Sequence, residues 1–166
     1  MEIRELKKED LPIRVQWMNH PSIYSSMHYE IPILLENTEK WYSSILTNNT
    51  RCDVTFTIDG KIVAMGGLTN INRDVNKAEL YIFVDPETHH AGIGTQATKL
   101  LCDYGFSTLN LYKIYLLTNE NNIPAQRVYE KCGFALEGKL RGEYISSTGK
   151  RLSRFYYGLL KEDWHE

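Results

Sequence analysis

The first half of the chain alternates short extended runs with helical segments. Apolar and polar residues alternate over residues 2–6, which predicts a first strand. Two helices are predicted next, over about 9–19 and about 36–47, and the first ends because Pro21 follows. Alternating apolar runs then flank Asp59-Gly60, the two-residue signal for a tight hairpin turn.

The second half predicts an α/β arrangement. In chain order its pattern predicts a strand over 78–84, a helix over about 94–108, a strand over 111–117, a helix from about 124 to 132 and two strands within 134–160. Strand, helix, strand, helix and strand in succession indicate a partly parallel sheet, and the flanking hairpins make that sheet mixed. No linker or repeat interrupts the pattern, so we expect one domain over residues 1–166.

Composition and charge narrow the class of protein. The 166 residues carry 19 Lys plus Arg against 21 Asp plus Glu, a formal charge of −2, so neither nucleic acid nor an anionic membrane is an expected partner. No run of about 18 apolar residues occurs, so no transmembrane helix is expected. The three cysteines are widely spaced and odd in number, which predicts reduced thiols in a cytoplasmic protein.

The segment after the strand at 78–84 has the features of an anion site. Gly92-Ile93-Gly94 lies where a helix begins, and the unpaired N–H groups of a helix start favour phosphate. Glycine allows close approach to the main chain, so the amides of about 91–95 are predicted to bind pyrophosphate. Neither the dinucleotide-binding GxGxxG nor the GK[ST] of a P-loop is present.

Two segments together resemble the GNAT acetyltransferase family. Residues 89–94 resemble its acetyl-CoA loop, Q/R-x-x-G-x-G/A, with His89 departing at the Gln/Arg position. Residues 122–134 resemble its segment N-x-x-A-x-x-x-Y-x-x-x-G-F, with Asn122 and Tyr129 in the matching places. The resemblance implies a mixed, mostly antiparallel twisted sheet of six to seven strands flanked by about four helices.

The resemblance also implies a reaction, the direct transfer of acetyl from acetyl-CoA to an amine. Tyr129 would protonate the departing thiolate, since a tyrosine with a pKa near ~10 stays protonated at neutral pH. Backbone N–H groups of 82–84 would polarise the thioester carbonyl. The cofactor-binding residues implied are Ile82, Phe83, Val84, His89, Ala91, Gly92, Ile93, Gly94, Thr95, Asn122 and Tyr129.

A base must remove the proton of the attacking ammonium group. Glu79, at the head of the strand at 78–84, is the first candidate, and a solvated carboxylate beside Lys77 is the structural alternative. His20 and His28 are alternatives whose pKa suits the task. The acceptor is expected near Trp17, Asn19, His20, Tyr24, Met27 and His28. No metal is expected, because adjacent His89 and His90 supply too few ligands.

The acceptor itself is left open between several amines. Residues 17–21 and 136–142 resemble acetyltransferases that modify the 4-amino group of a UDP-linked sugar, the preferred interpretation. Residues 103–113 resemble spermidine acetyltransferases, the first alternative, although acids between residues 17 and 50 are few for a polycation. A ribosomal-protein acetyltransferase and a non-catalytic acyl-CoA-binding module are further alternatives. The C-terminal hairpin is a common pairing element in the family, so the resemblance also implies a homodimer.

Overall fold

One mixed sheet organises the part of the chain that is described. The computed structural model describes residues 1–88, 92–146 and 148–165. Its strands are β1 (Glu2–Glu5), β2 (Cys52–Ile58), β3 (Lys61–Asn72), β4 (Lys77–Val84), β5 (Lys113–Asn119), β6 (Ala135–Ile145) and β7 (Arg151–Leu160). They lie in the order β1-β2-β3-β4-β5-β7-β6, and every pair is antiparallel except β4 and β5.

Within the described residues five α-helices flank this sheet, where about four were expected. They are α1 (Leu11–Met18), α2 (Pro21–Tyr24), α3 (Leu35–Ile45), α4 (Ile93–Asp103) and α5 (Ile123–Lys131). The additional helix is the four-residue α2. His20 precedes this helix and caps it, because the His20 side chain accepts a hydrogen bond from the Ser22 N–H. The helix expected over 94–108 ends as an α-helix at Asp103, and a π-helical turn, Tyr104–Thr108, completes it.

The two faces of the sheet have separate cores. One core joins α4 and α5 to the sheet and includes Phe56, Leu101, Ile114 and Tyr129. The other lies beneath α1 and α3 and includes Trp17 and Phe83. Side chains of β4 alternate between the two faces, so this strand contributes to both cores.

The parallel pair of strands separates in the middle of the sheet. β4 and β5 pair only where Lys77–Glu79 meet Lys113–Tyr115. Beyond that point β4 continues along β3 and β5 continues along β7. A gap therefore opens beside residues 80–84, and the backbone N–H and C=O groups on that edge of β4 have no strand partner.

Candidate active site

Two adjoining cavities occupy the gap between β4 and β5. The larger, here called the wide cavity, has a volume of about 330 Å³ and is lined by residues of β4, β5, α5 and the segment after α2. The smaller, the narrow cavity, has a volume of about 200 Å³ and lies between the end of β4, α4 and α5. The residues that line both are Ser26, Met27, Ile82, Ala125 and Tyr129.

Tyr129 of α5 is placed between the two cavities. The residue is only 9% exposed, and its ring packs edge-on against Phe134 with centroids 5.9 Å apart. Burial raises the pKa of Tyr129 to about 12. The phenol is therefore fully protonated at neutral pH, which is the state that a proton donor requires.

Asn122 begins the helix that carries Tyr129. Its Oδ1 accepts a hydrogen bond of 3.3 Å from the Ala125 N–H, which caps α5, and Pro124 occupies the first turn. Asn122 also lines the wide cavity. The structure thus places Asn122 and Tyr129 beside one cleft, two turns apart on the same helix.

The open edge of β4 is the floor of the cleft. Ile82 and Val84 line the narrow cavity from this strand, as does Phe83. The neighbouring strand approaches closely at this point, since a Cβ on Gly66 would lie 2.6 Å from the Tyr81 carbonyl oxygen. The sequence analysis gave Gly66 no role, and the structure makes it a spacer that holds β3 and β4 in register beneath the cleft.

The start of α4 closes the far end of the narrow cavity. Gly92 precedes the helix with φ of +94°, a conformation that suits glycine, and a Cβ there would meet nothing within 4 Å. Gly94 lines the narrow cavity, whereas Ile93 is buried and the Thr95 carbonyl accepts a hydrogen bond from Cys132. This open helix start fits a phosphate group, and the mostly apolar cavity beside it fits an extended arm. His89 and Ala91 lie outside the described residues.

The wide cavity brings together three further candidates from the sequence. Glu79 lines it from β4, and its Oε2 accepts a hydrogen bond of 2.8 Å from Asn70. Met27 and His28 line it from the segment after α2. The His28 Nε2 lies 3.0 Å from the Asn119 Oδ1, and its ring packs edge-on against Tyr144.

Four expected acceptor residues do not line either cavity. Trp17 is buried in the core, edge-on to Phe83. Asn19 makes two hydrogen bonds to the backbone of Ile33, and His20 caps α2. Tyr24 ends that short helix. These residues contribute to the core and to helix capping beside the cleft, and their predicted role in binding the acceptor stays a prediction.

The sequence analysis missed the residue that anchors this side of the cleft. Asn119, 2% exposed at the end of β5, contacts His28 and donates to the Ser26 carbonyl oxygen. It therefore holds the segment after α2 across the gap. The available signal was a polar residue two positions after the predicted strand at 111–117, because the observed strand extends to Asn119. Arg154 of β7 also lines the wide cavity, and no local pattern distinguished it from a surface residue.

The described residues contain neither a cluster of metal ligands nor a membrane-spanning helix. No group of three or more His, Cys, Asp or Glu side chains there is arranged to hold a metal ion. No helix in the same part of the chain is long and apolar enough to span a membrane.

An open strand edge, a glycine-led helix start and a buried tyrosine lie together here, as the resemblance to acetyltransferases implied. The family model described as acetyltransferase (GNAT) domain matches residues 1–135, and the chain belongs to this family. It is an N-acetyltransferase that uses acetyl-CoA, as the resemblance implied.

Individual relatives place the chain within the family. It is 32% identical over 145 residues to the spermidine N(1)-acetyltransferase of Escherichia coli K12, covering 87% of this chain and 78% of that protein. It is 34% identical over 107 residues to the putative ribosomal N-acetyltransferase YdaF of Bacillus subtilis, covering 64% and 57%. The spermidine N-acetyltransferase of Vibrio cholerae, solved with CoA and spermine, superimposes with a TM-score of 0.91 at 27% identity, covering 98% of this chain and 96% of that one.

Proposed function

We propose that this N-acetyltransferase acetylates a primary amine of a linear polyamine of the spermidine class. The observation that carries the proposal is the relation to spermidine acetyltransferases, in sequence over 87% of the chain and in fold over 98% of it. The sequence analysis preferred a UDP-linked amino sugar and kept spermidine as its alternative. The relatives named above favour the alternative.

The geometry supports a division of roles along the cleft. In the wide cavity Glu79 accepts the proton of the ammonium group, directly or through water, so that the neutral amine nitrogen attacks the acetyl carbon. The N–H groups on the open edge of 82–84 stabilise negative charge on the carbonyl oxygen. The N–C bond forms, the C–S bond breaks and Tyr129 gives its proton to the departing sulfur.

The surroundings of Glu79 suit a cationic acceptor. Its hydrogen-bond partner Asn70 is neutral, so no cation of this chain takes its charge through that contact. The stacked rings of Tyr115 and Tyr156, 5.1 Å apart on adjoining strands, already face Lys77 and Lys113 at 5.6 and 5.5 Å and line neither cavity. The Glu79 carboxylate itself therefore provides the attraction for an ammonium group in the wide cavity, by its charge.

Thiol release from acetyl-CoA tests the proposed acceptor. The full chain is assayed with spermidine, spermine, a UDP-4-amino sugar and a peptide with the N-terminal sequence of a ribosomal protein. We expect turnover with the polyamines alone. Turnover confined to the sugar nucleotide or to the peptide would contradict the proposal, and CoA binding with no turnover would support the non-catalytic alternative.

Replacing Glu79 by glutamine tests both parts of its role. The amide keeps the shape but neither attracts an ammonium group nor takes its proton, so we expect kcat/KM for spermidine to fall by about 10²-fold. The KM of acetyl-CoA should stay unchanged. Glu137→Gln is the matched control, because Glu137 lies on the same sheet but forms its ion pair with Lys113 outside both cavities. An equal loss in the two variants would remove Glu79 from the mechanism.

We further propose a homodimer in the cytoplasm, formed through the C-terminal hairpin. β6 is an edge strand whose exposed apolar residues are Leu136, Leu140 and Ile145. Such an edge is a pairing surface, and a second copy would cover it. Light scattering should give twice the 19.3 kDa of one chain, and Leu140→Lys should give single chains. Leu46→Lys, at an exposed position after α3, should leave the dimer intact.

A further inference from the structure

A third cavity lies on the opposite side of the sheet from α4 and α5, beneath α3. It has a volume of about 370 Å³ and is lined by α1, α3, the segment at 30–34 and Arg51. None of its lining residues lines the wide or the narrow cavity. A ligand of this cavity would therefore be separate from acetyl-CoA and from the amine acceptor.

Arg14 of α1 lines this cavity and has an unused donor. The residue is 6% exposed, and its Nη2 donates a hydrogen bond of 3.3 Å to the Tyr81 hydroxyl. Its Nη1 is buried and has no hydrogen-bond partner among the described residues. Leaving a charged donor buried without a partner costs free energy, and an anion in the cavity would remove that cost.

No carboxylate in the described part of the chain forms an ion pair with Arg14. The nearby carboxylate, Asp53, is occupied by Arg51, whose Nε and Nη2 donate to it at 2.6 and 2.7 Å, and by the Tyr81 hydroxyl. The charge of Arg14 is instead surrounded by aromatic rings, with Trp41 at 4.7 Å and Phe83 at 5.3 Å. Asp53 and Glu30 balance the formal charges of Arg51 and Arg14, but among the described lining residues only Arg14 is a buried charge without an ion pair.

The remaining lining limits the kind of ligand. The Arg51 guanidinium also lies over Trp41, at 5.0 Å, but its charge is paired with Asp53, so Arg14 is the guanidinium that remains for an anion. Glu30 and Asn37 are exposed lining residues, and the Glu30 carboxylate disfavours a ligand of high negative charge. A volume of 370 Å³ is at the lower end of the range for small-molecule sites, roughly 300–1,000 Å³.

We propose that this cavity binds a small organic anion whose single carboxylate or phosphate group pairs with Arg14 while its body packs on Trp41. The site does not depend on the acceptor proposed above. The unpaired guanidinium of Arg14 repels an ammonium group, so the ligand proposed for this cavity has the opposite charge to the acceptor proposed for the wide cavity.

Calorimetric titration of the full chain tests the site, with acetyl-CoA present at saturation so that the helix start of α4 is occupied. The probes are benzoate and phenyl phosphate, which share a ring and differ in the anion, and benzylamine as the cation of the same shape. We expect at least one of the two anions to bind with a Kd of about 1 mM or lower and benzylamine not to bind. The preferred anion distinguishes a carboxylate from a phosphate ligand.

Arg14→Met keeps the length of the side chain and removes its charge. We expect the Kd of the preferred anion to rise by about tenfold or more, while Arg73→Met, at an exposed arginine in the turn after β3, leaves that Kd unchanged. If Arg14→Met does not fold, Asn37→Trp is the second variant. It narrows the cavity from an exposed position and should raise the Kd of the anion by a similar factor. Absence of anion binding, equal binding by the variants, or binding of benzylamine would overturn the proposal.

Discussion

Replacing Tyr129 by phenylalanine is expected to lower kcat by about 10²-fold or more and to leave the Kd of acetyl-CoA nearly unchanged. The variant removes one oxygen atom from a ring that stays buried between the two cavities. The departing thiolate then loses the proton donor that we propose for it. Stopped-flow or steady-state thiol release gives kcat, and calorimetry gives the Kd.

Tyr157→Phe is the matched control. Tyr157 is also buried, and its ring centroid lies 6.3 Å from that of Tyr129. Its hydroxyl donates a hydrogen bond to Glu130, and the residue lines neither cavity. Loss of that hydroxyl should alter stability more than kcat. Equal kcat for Tyr129→Phe and the unmodified chain would eliminate Tyr129 as the acid.

The pH dependence of kcat should agree with this assignment. Since burial raises the pKa of Tyr129 to about 12, its proton is lost only well above neutral pH. A proton donor with a raised pKa keeps its function as the pH rises until that pKa is approached. We therefore expect no fall in kcat from Tyr129 between about pH 6 and pH 10, and a fall centred near neutral pH would contradict its role.

Replacing Gly92 by valine is expected to raise the Kd of acetyl-CoA by about tenfold or more, with a much smaller effect on kcat at saturating acetyl-CoA. Among the described residues other than its chain neighbours, no atom lies within 4 Å of a Cβ at this position, so the added side chain would crowd a phosphate group bound at the helix start. The positive φ of +94° adds strain for any side chain. Calorimetric titration with CoA measures the loss of affinity.

Gly60→Val is the control that separates the effect of backbone strain from the effect of crowding the phosphate group. Gly60 has a φ of +78° in the turn between β2 and β3, and a Cβ there also meets nothing within 4 Å. The two variants therefore carry similar backbone strain, but only one lies at the start of α4. Unchanged CoA affinity in Gly92→Val, or the same loss in Gly60→Val, would refute the phosphate site at this helix start.

Local patterns identified the fold well, because the elements that carry the chemistry are periodic and clearly bounded. Alternation over residues 78–84 predicted β4, and the turn signal at 59–60 predicted the hairpin of β2 and β3. The helix start at Gly92 and the spacing of Asn122 and Tyr129 were visible as well. The sequence analysis preferred a sugar nucleotide on the basis of the run at 17–21, whereas the named relatives favour its alternative, a polyamine; in the structure that run contributes to the core and to helix capping.

The sequence by itself determined the order of the elements, the glycine at the start of α4 and the placement of Asn122 and Tyr129 two turns apart on α5. These depend on neighbours within a few residues, and hydrophobic period and capping chemistry record such neighbours directly. Only the tertiary structure decided where β4 and β5 separate, that Asn119 would hold His28 at the cleft and that Arg14 would be buried with a free donor. Each of these depends on packing between segments far apart in the chain, and packing of that kind leaves no local period to detect.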